Sequence, residues 1–247
     1  MNRYCYIDIG NSRIKWWLCE QHSIVKRYVA WHTPTIAELL DELPHDFDHS
    51  VSFVGISSVQ DDDYNQQLTQ EIYQRWGIYP EFAVTQAVSR QIECAYDEPT
   101  KLGIDRWLNV LAVANAQPVC VVSCGTALTI DIVEDNRHLG GYIIPSLNLQ
   151  LSALLQGTKR VKPEKITFNS LDLGTNTSQA VHHGILMACV AVIEKVHQQR
   201  QTSLQKTVNL VLTGGDAEKI GQHLSIEHVI IPELLLLGLQ RYFGHSS

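Results

Sequence analysis

Three apolar runs in this chain end in small polar residues and glycine, and their spacing constrains the fold more than any other feature. Tyr6-Ile7-Asp8-Ile9-Gly10-Asn11-Ser12 carries a strand into a carboxylate, a glycine and two small polar residues. Val119-Cys120-Val121-Val122 enters Ser123-Cys124-Gly125-Thr126 in the same way, with Ser123 lying 115 positions after Asp8. Leu212-Thr213-Gly214-Gly215-Asp216 forms a third such turn. Glycine lets backbone amides approach an anion closely, so each turn can cradle phosphate. Read alone, Asp8 to Ser12 is equally a tight hairpin, since Gly and Asn supply the positive φ that such turns use. Three together predict a nucleotide held between two related halves.

The pattern between the turns supports a duplication of element order. Arg13 to Leu18 and Ile24 to Trp31 read as strands and make an antiparallel meander with the opening strand. Ile36 to Leu43 predicts a short helix, Ser52 to Ser57 a strand, Asp61 to Trp76 a helix and Tyr79 to Val84 a strand. The second half gives strands from Val119, at Leu128 to Glu134 and at His138 to Ile144, then helices around Leu149 to Leu155 and Gln179 to Gln199. Val208 to Leu212, Ala217 to Leu224, His228 to Ile231 and Glu233 to Phe243 follow as strand, helix, strand and helix. Between the halves, Asp105 to Ala116 predicts a helix closed by Gln117-Pro118, which sets domains at 1–117 and 118–247. The layer logic is α/β, each half a mixed five-stranded sheet with flanking helices.

Composition limits the partners. The formal charge of -7 and pI near 5.8 argue against a nucleic-acid surface, which rests on clustered Lys and Arg. Met1 to Asp8 reaches a carboxylate before a signal-peptide core can form, and no run approaches the roughly 18 apolar residues that span a bilayer. A cytoplasmic protein without membrane or nucleic-acid partners is expected. The cysteines at 5, 19, 94, 120, 124 and 189 form no framework and read as reduced core residues. Asp61-Asp62-Asp63 reads as a helix start, where carboxylates meet exposed amides, rather than as a metal site. His182-His183 cannot form an i, i+4 ligand pair, and Trp16-Trp17 on a strand predicts one core ring and one outward ring.

The chemistry concentrates at a few positions. At the first turn Asp8 can hold a hydrated Mg²⁺, the amides of Gly10, Asn11 and Ser12 can face phosphate, and Lys15 adds positive charge. Gly103-Ile104-Asp105-Arg106 sets a carboxylate at a helix start beside a guanidinium, a base and an anion clamp in one place. With Ser123 to Asp131, Gly140-Gly141 and Thr213 to Asp216 added, the chain resembles the actin, Hsp70 and sugar-kinase superfamily. Within it the chain closely resembles the type III pantothenate kinases, over Asp8 to Leu239. That family carries Asp-x-Gly-Asn-Ser/Thr, Gly-x-Asp-Arg, Asp-x-Gly-Thr-Ala-x-Thr-x-Asp, Gly-Gly-x-Ile-x-Pro and Thr-Gly-Gly-Asp-Ala.

The resemblance implies duplicated ribonuclease H-like, actin-like ATPase domains and ATP-dependent phosphorylation of pantothenate, the first step towards coenzyme A. It makes Asp105 the base for the pantothenate hydroxyl. Tyr96, Gly103, Ile104, Arg106 and Thr177 fall at pantothenate positions, and Thr126, Gly214 and Gly215 join the first turn at ATP. It also implies Mg²⁺ with ATP, a monovalent cation (K⁺ or NH₄⁺) and a homodimer. One position departs: Ser123 stands where the family has the Asp that resembles the cation ligand. Losing a carboxylate about 4 Å from a cation forfeits roughly 4 kcal/mol of attraction at an effective dielectric of about 20. Two other readings share these motifs. One is a non-catalytic regulatory accessory protein with the same fold, which Ser123 keeps open; the other is a kinase for another small hydroxyl compound.

Overall fold

A computed structural model describes residues 3–33, 35–48, 51–115, 117–158, 163–164 and 167–245. The chain packs as two compact units, one of Met1–Ala112 with Leu234–Ser247 and the other of Val113–Glu233. The chain therefore returns to its first unit at Leu234.

The first unit opens with β1 (Arg3–Ile9), β2 (Arg13–Glu20) and β3 (Ser23–Trp31), the antiparallel meander, followed by α1 (Ile36–Asp41), β4 (Val51–Ser58), α2 (Asp62–Trp76) and β5 (Glu81–Phe82). The sheet order is β3-β2-β1-β4-β5, with β4 parallel to both β1 and β5. Side chains alternate across a strand, so one face takes Cys5, Ile7, Ile9, Ile14, Trp16, Leu18, Val54 and Ile56. These pack against Leu39 and Leu40 of α1 and Leu68 and Ile72 of α2. Asp61 caps α2 by accepting the Tyr64 amide at 2.9 Å, and Gly77 at φ 68° ends it, so the acidic run is a helix start.

The other face of the sheet carries Tyr6, Asp8, Trp17 and Ser57. Trp16 and Trp17 are both buried, against the expectation of one outward ring, because the helix at Leu234–Phe243 packs on β1 and β4, with Phe243 over Gly55 on this face. A hairpin, β6 (Val88–Ser89) and β7 (Ile92–Glu93), precedes α3 (Ile104–Val113). The pattern Arg90-Gln91 gives no turn signal, yet both residues adopt positive φ as a two-residue hairpin turn requires. The helix expected from Asp105 to Ala116 stops at Val113, and Ala116 lies outside the described residues.

The second unit contains β8 (Val119–Cys124), β9 (Ala127–Glu134), β10 (Arg137–Pro145), α4 (Leu147–Gly157), α5 (Thr177–Leu204), β11 (Asn209–Thr213), α6 (Ala217–Gly221) and β12 (Val229–Ile230). Its strands lie in the order β12-β11-β8-β9-β10, antiparallel between β8, β9 and β10 and parallel from β8 outward through β11 and β12. Cys120, Val122, Cys124, Leu128, Ile130, Ile132, Leu210 and Leu212 face α5, whose Ile185, Leu186, Cys189, Val190 and Ile193 complete the core. At 28 residues α5 is long and apolar enough to cross a membrane, which corrects the expectation that no segment is. Here that apolar stripe is spent on the sheet. Burial pushes the Cys120 and Cys124 thiols up to about 12 and Cys189 to about 11, as inert core thiols require.

The last helix, α7 (Leu234–Phe243), belongs to the first unit. Gly238 lets it lie directly on the Leu108 carbonyl of α3, where a Cβ has no room, and Arg241 donates to the Leu111 carbonyl at 2.7 Å. After it, His245 stacks on Tyr4 at 4.2 Å, and its Nδ1 shares a hydrogen bond with the Tyr6 hydroxyl at 2.8 Å.

Candidate active site

Strand pairing builds the first cluster. Asp8 is opposite Lys15 on β2 and Ser57 on β4, and residues paired across neighbouring strands share a face. Lys15 Nζ lies 3.4 Å from Asp8 Oδ2, and Ser57 Oγ donates to Asp8 Oδ1 at 3.3 Å. Asp8 is 6% exposed. Burial pushes its carboxyl above the usual range; Lys15 pulls it back, and the charge of Asp105 pushes it up again. The sheet thus brings Asp8 within electrostatic reach of the helix that carries Asp105. Ser57 gave no signal in the sequence beyond ending an apolar run, since only the β1/β4 register places it on Asp8.

Asp105 is the second residue of α3, half-buried, in the turn where exposed amides favour an anion. Gly103, whose carbonyl accepts the Trp107 amide at 3.0 Å, makes room for it: a Cβ there would stand 2.7 Å from Asp105 Oδ1. Arg106 is buried and donates from Nη1 to Tyr96 Oη at 2.9 Å, with its guanidinium 5.8 Å from that ring. Tyr96, Gly103, Asp105 and Arg106 therefore lie together, while Ile104 is buried as core. At the first turn Asn11 and Ser12 are exposed and Gly10 is half-buried.

In the second unit the other two turns meet. Gly214, at φ 95°, would drive a Cβ to 2.6 Å from the Cys124 carbonyl, and the Asp216 amide donates to that same oxygen at 3.1 Å. Only glycine permits this approach of one backbone to another. Gly125, Thr126 and Gly215 stay exposed around it, and Ser146 Oγ pins the Thr126 carbonyl at 2.6 Å. Ser123 is paired with Thr213 on β11 and with Thr129 on β9, which aligns three neutral hydroxyls across one face. Asp131 is not at the turn: it is buried in the sheet, 2.8 Å from His138 Nε2. Thr177 is the exposed first residue of α5, after Asn176, which caps the helix by accepting the Gln179 amide at 3.0 Å.

The donor chemistry fits a divalent cation at the first unit. Asp8 is a nearly dry carboxylate whose oxygens meet Ser57 Oγ and Lys15 Nζ, and a hard cation takes such oxygen ligands. The row of hydroxyls at Ser123, Thr129 and Thr213 offers oxygen without charge.

The sequence profile of the type III pantothenate kinases matches residues 4–199. A protein from Acinetobacter baumannii (strain ACICU), described as a type III pantothenate kinase, is 42% identical over 244 residues, covering 97% of each chain. Among solved structures, one described as a conserved Baf family transcriptional activator from Campylobacter jejuni superposes with a TM-score of 0.66 at 19% identity, covering 97% of both chains. An inorganic polyphosphate/ATP-glucomannokinase from Arthrobacter sp. strain KM gives 0.52 at 12% identity, covering 99% of this chain and 98% of that one. At such identities these two show a shared actin-like ATPase and sugar-kinase fold.

Proposed function

The chain belongs to the type III pantothenate kinase family, and on that premise we propose how its residues divide the work. The reaction is ATP-dependent phosphorylation of pantothenate at its primary hydroxyl. Phosphoryl transfer asks a protein for alignment and charge neutralisation more than for covalent chemistry. Asp105 accepts the proton of that hydroxyl as the oxygen bonds to the γ-phosphorus and the bond from that phosphorus to the β,γ-bridging oxygen breaks, releasing ADP. The observation that carries this assignment is the carboxylate of Asp105 in the first turn of α3, with Gly103 cleared to receive it and Arg106 anchored on Tyr96 next to it. Arg106, Tyr96 and Gly103 of the first unit hold pantothenate, Arg106 facing the anionic part of the molecule, and Thr177 is the residue of the second unit assigned to it.

In the first unit Asn11, Ser12 and Lys15 bind phosphates of ATP through amides, a hydroxyl and one ammonium, and in the second unit Thr126, Gly214 and Gly215 offer amides and a hydroxyl for the same task. Asp8 is the residue that would hold a magnesium ion arriving with ATP, and that ion supplies charge neutralisation at the phosphate oxygens. At the position of Ser123 the hydroxyl row replaces a carboxylate, so activation by K⁺ or NH₄⁺ is weak. A second copy of the chain covers α4, whose Leu149, Leu154 and Leu155 are exposed beside Tyr142 and Ile143 of β10.

The test is ADP release from the purified protein with MgATP and a panel of small hydroxyl acids and sugars, run in K⁺, NH₄⁺ or Na⁺. Turnover that requires pantothenate and varies less than about threefold among the salts is expected. Turnover with another panel member alone would refute the substrate, and strict K⁺ dependence would refute the account of Ser123.

A further inference from the structure

The carbonyl of Gly10 accepts two side-chain hydrogen bonds, from His32 Nε2 at 2.9 Å and from Gln60 Nε2 at 3.1 Å. Closing the turn requires neither, because the Gly10 amide already donates to the Arg13 carbonyl at 3.1 Å. The two donors reach it from separate parts of the first unit, His32 just beyond β3 and Gln60 between β4 and α2. Both are braced by the first turn of α2. Tyr64 meets the His32 ring edge-on at 6.1 Å. Asn65 accepts the Ser58 hydroxyl at 2.6 Å and donates to the Gln60 carbonyl at 3.4 Å, while the Gln60 amide donates to Ser58 Oγ at 3.2 Å. A carbonyl acceptor requires hydrogen on His32 Nε2, and the ring keeps that hydrogen whether it is neutral in this tautomer or charged.

A trans peptide is planar, and its C=O and N–H point in opposite directions. Holding the Gly10 oxygen from two sides therefore fixes the direction of the Asn11 N–H, in the exposed part of the turn. We infer that His32 and Gln60 are positioning residues for ATP, aiming the Asn11 amide at phosphate before the nucleotide arrives. This rests on the reading of the first turn as a phosphate-binding turn. The clamp orders the donor in advance, so less freedom is lost when ATP binds. Pantothenate gains nothing from it directly.

The experiment compares His32→Ala, Gln60→Ala, the double variant, His32→Gln and Asn11→Pro. Each is measured for the Kd of a non-hydrolysable ATP analogue with Mg²⁺, for the KM of pantothenate and for Tm. Each single alanine is expected to weaken the analogue about 3- to 10-fold, and the double variant more, as for loss of one or two neutral hydrogen bonds. The KM of pantothenate should stay within about twofold, and His32→Gln, whose amide nitrogen replaces Nε2–H, should restore affinity. Weaker binding in Asn11→Pro with none in the alanine variants overturns the clamp alone. Unchanged binding in Asn11→Pro overturns the phosphate reading of the turn, and the clamp with it. Equal losses for both substrates with lowered Tm and no rescue by glutamine make the two residues merely structural, which also overturns the inference.

Discussion

Gly103→Ala separates stability from catalysis in a way that few substitutions can. Gly103 lies outside the left-handed region, so alanine is compatible with its backbone. Replacing glycine at such a site ordinarily stabilises by about 0.4–1 kcal/mol, through the entropy of the unfolded chain. The new methyl would stand 2.7 Å from Asp105 Oδ1, in a direction where the neighbour is the far end of a side chain rather than backbone. Relief needs a carboxylate shift of roughly half an ångström or more, or a rotation about χ1 costing about 0.5–1.5 kcal/mol. The two stability effects nearly cancel, so Tm should move by only a few degrees. Catalysis has no such compensation, because misplacing a reacting group by about 1 Å costs on the order of 10²-fold. We expect kcat to fall about 10- to 100-fold while the Kd of an ATP analogue is unchanged. The assay is steady-state ADP release with thermal unfolding on the same sample. Full kcat with unchanged Tm would refute the reasoning, since it would mean that the orientation of Asp105 is immaterial.

Three further outcomes follow from other contacts. Gly214→Ala, at φ 95° and against the Cys124 carbonyl, should lower Tm by several degrees and weaken nucleotide binding at least tenfold, read by calorimetry. Burial holds His245 below the usual imidazole range; Glu81 opposes this, and Arg90 and His22 reinforce it. The unfolded chain therefore takes up that proton more readily, so the stabilisation is complete above about pH 6.5 and is lost as pH falls through the depressed value. His245→Ala should flatten the decline of Tm between about pH 7 and 5. Leu154→Glu with Leu155→Glu should convert a dimer to monomer in sedimentation at micromolar concentration; a wild-type chain already monomeric would refute the second copy on α4.

The fold was legible where alternation and turn chemistry agreed. Tyr6 to Ser12 and Val119 to Thr126 announced strands and turns, and Asp61 announced a helix start through its short acceptor side chain. The hairpin at Arg90-Gln91 was not legible, because its positive φ values are imposed by packing: Arg90 donates twice to the Tyr242 carbonyl, at 3.2 and 2.8 Å. The return of α7 to the first unit was also hidden, since Gly238 against Leu108 is a contact across 130 positions that no local pattern encodes. Within the candidate site, residues carried by motifs were readable as Asp8, Asp105 and Gly214. Ser57, His32 and Gln60 gave no local signal, because each reaches Asp8 or Gly10 through register or from a neighbouring element. Trp17 failed for a related reason, as a sheet covered on both faces buries both sides of the alternation.

The most direct measurement is single-turnover transfer of labelled γ-phosphate from ATP to pantothenate by wild type and Asp105→Asn, with binding of both substrates measured beforehand. The account predicts that the variant binds both within a fewfold of wild type, keeps its Tm, and transfers about 10²- to 10⁴-fold more slowly. Transfer at the wild-type rate with both substrates bound would contradict the assignment of Asp105 as the base and the reading of the site built around it.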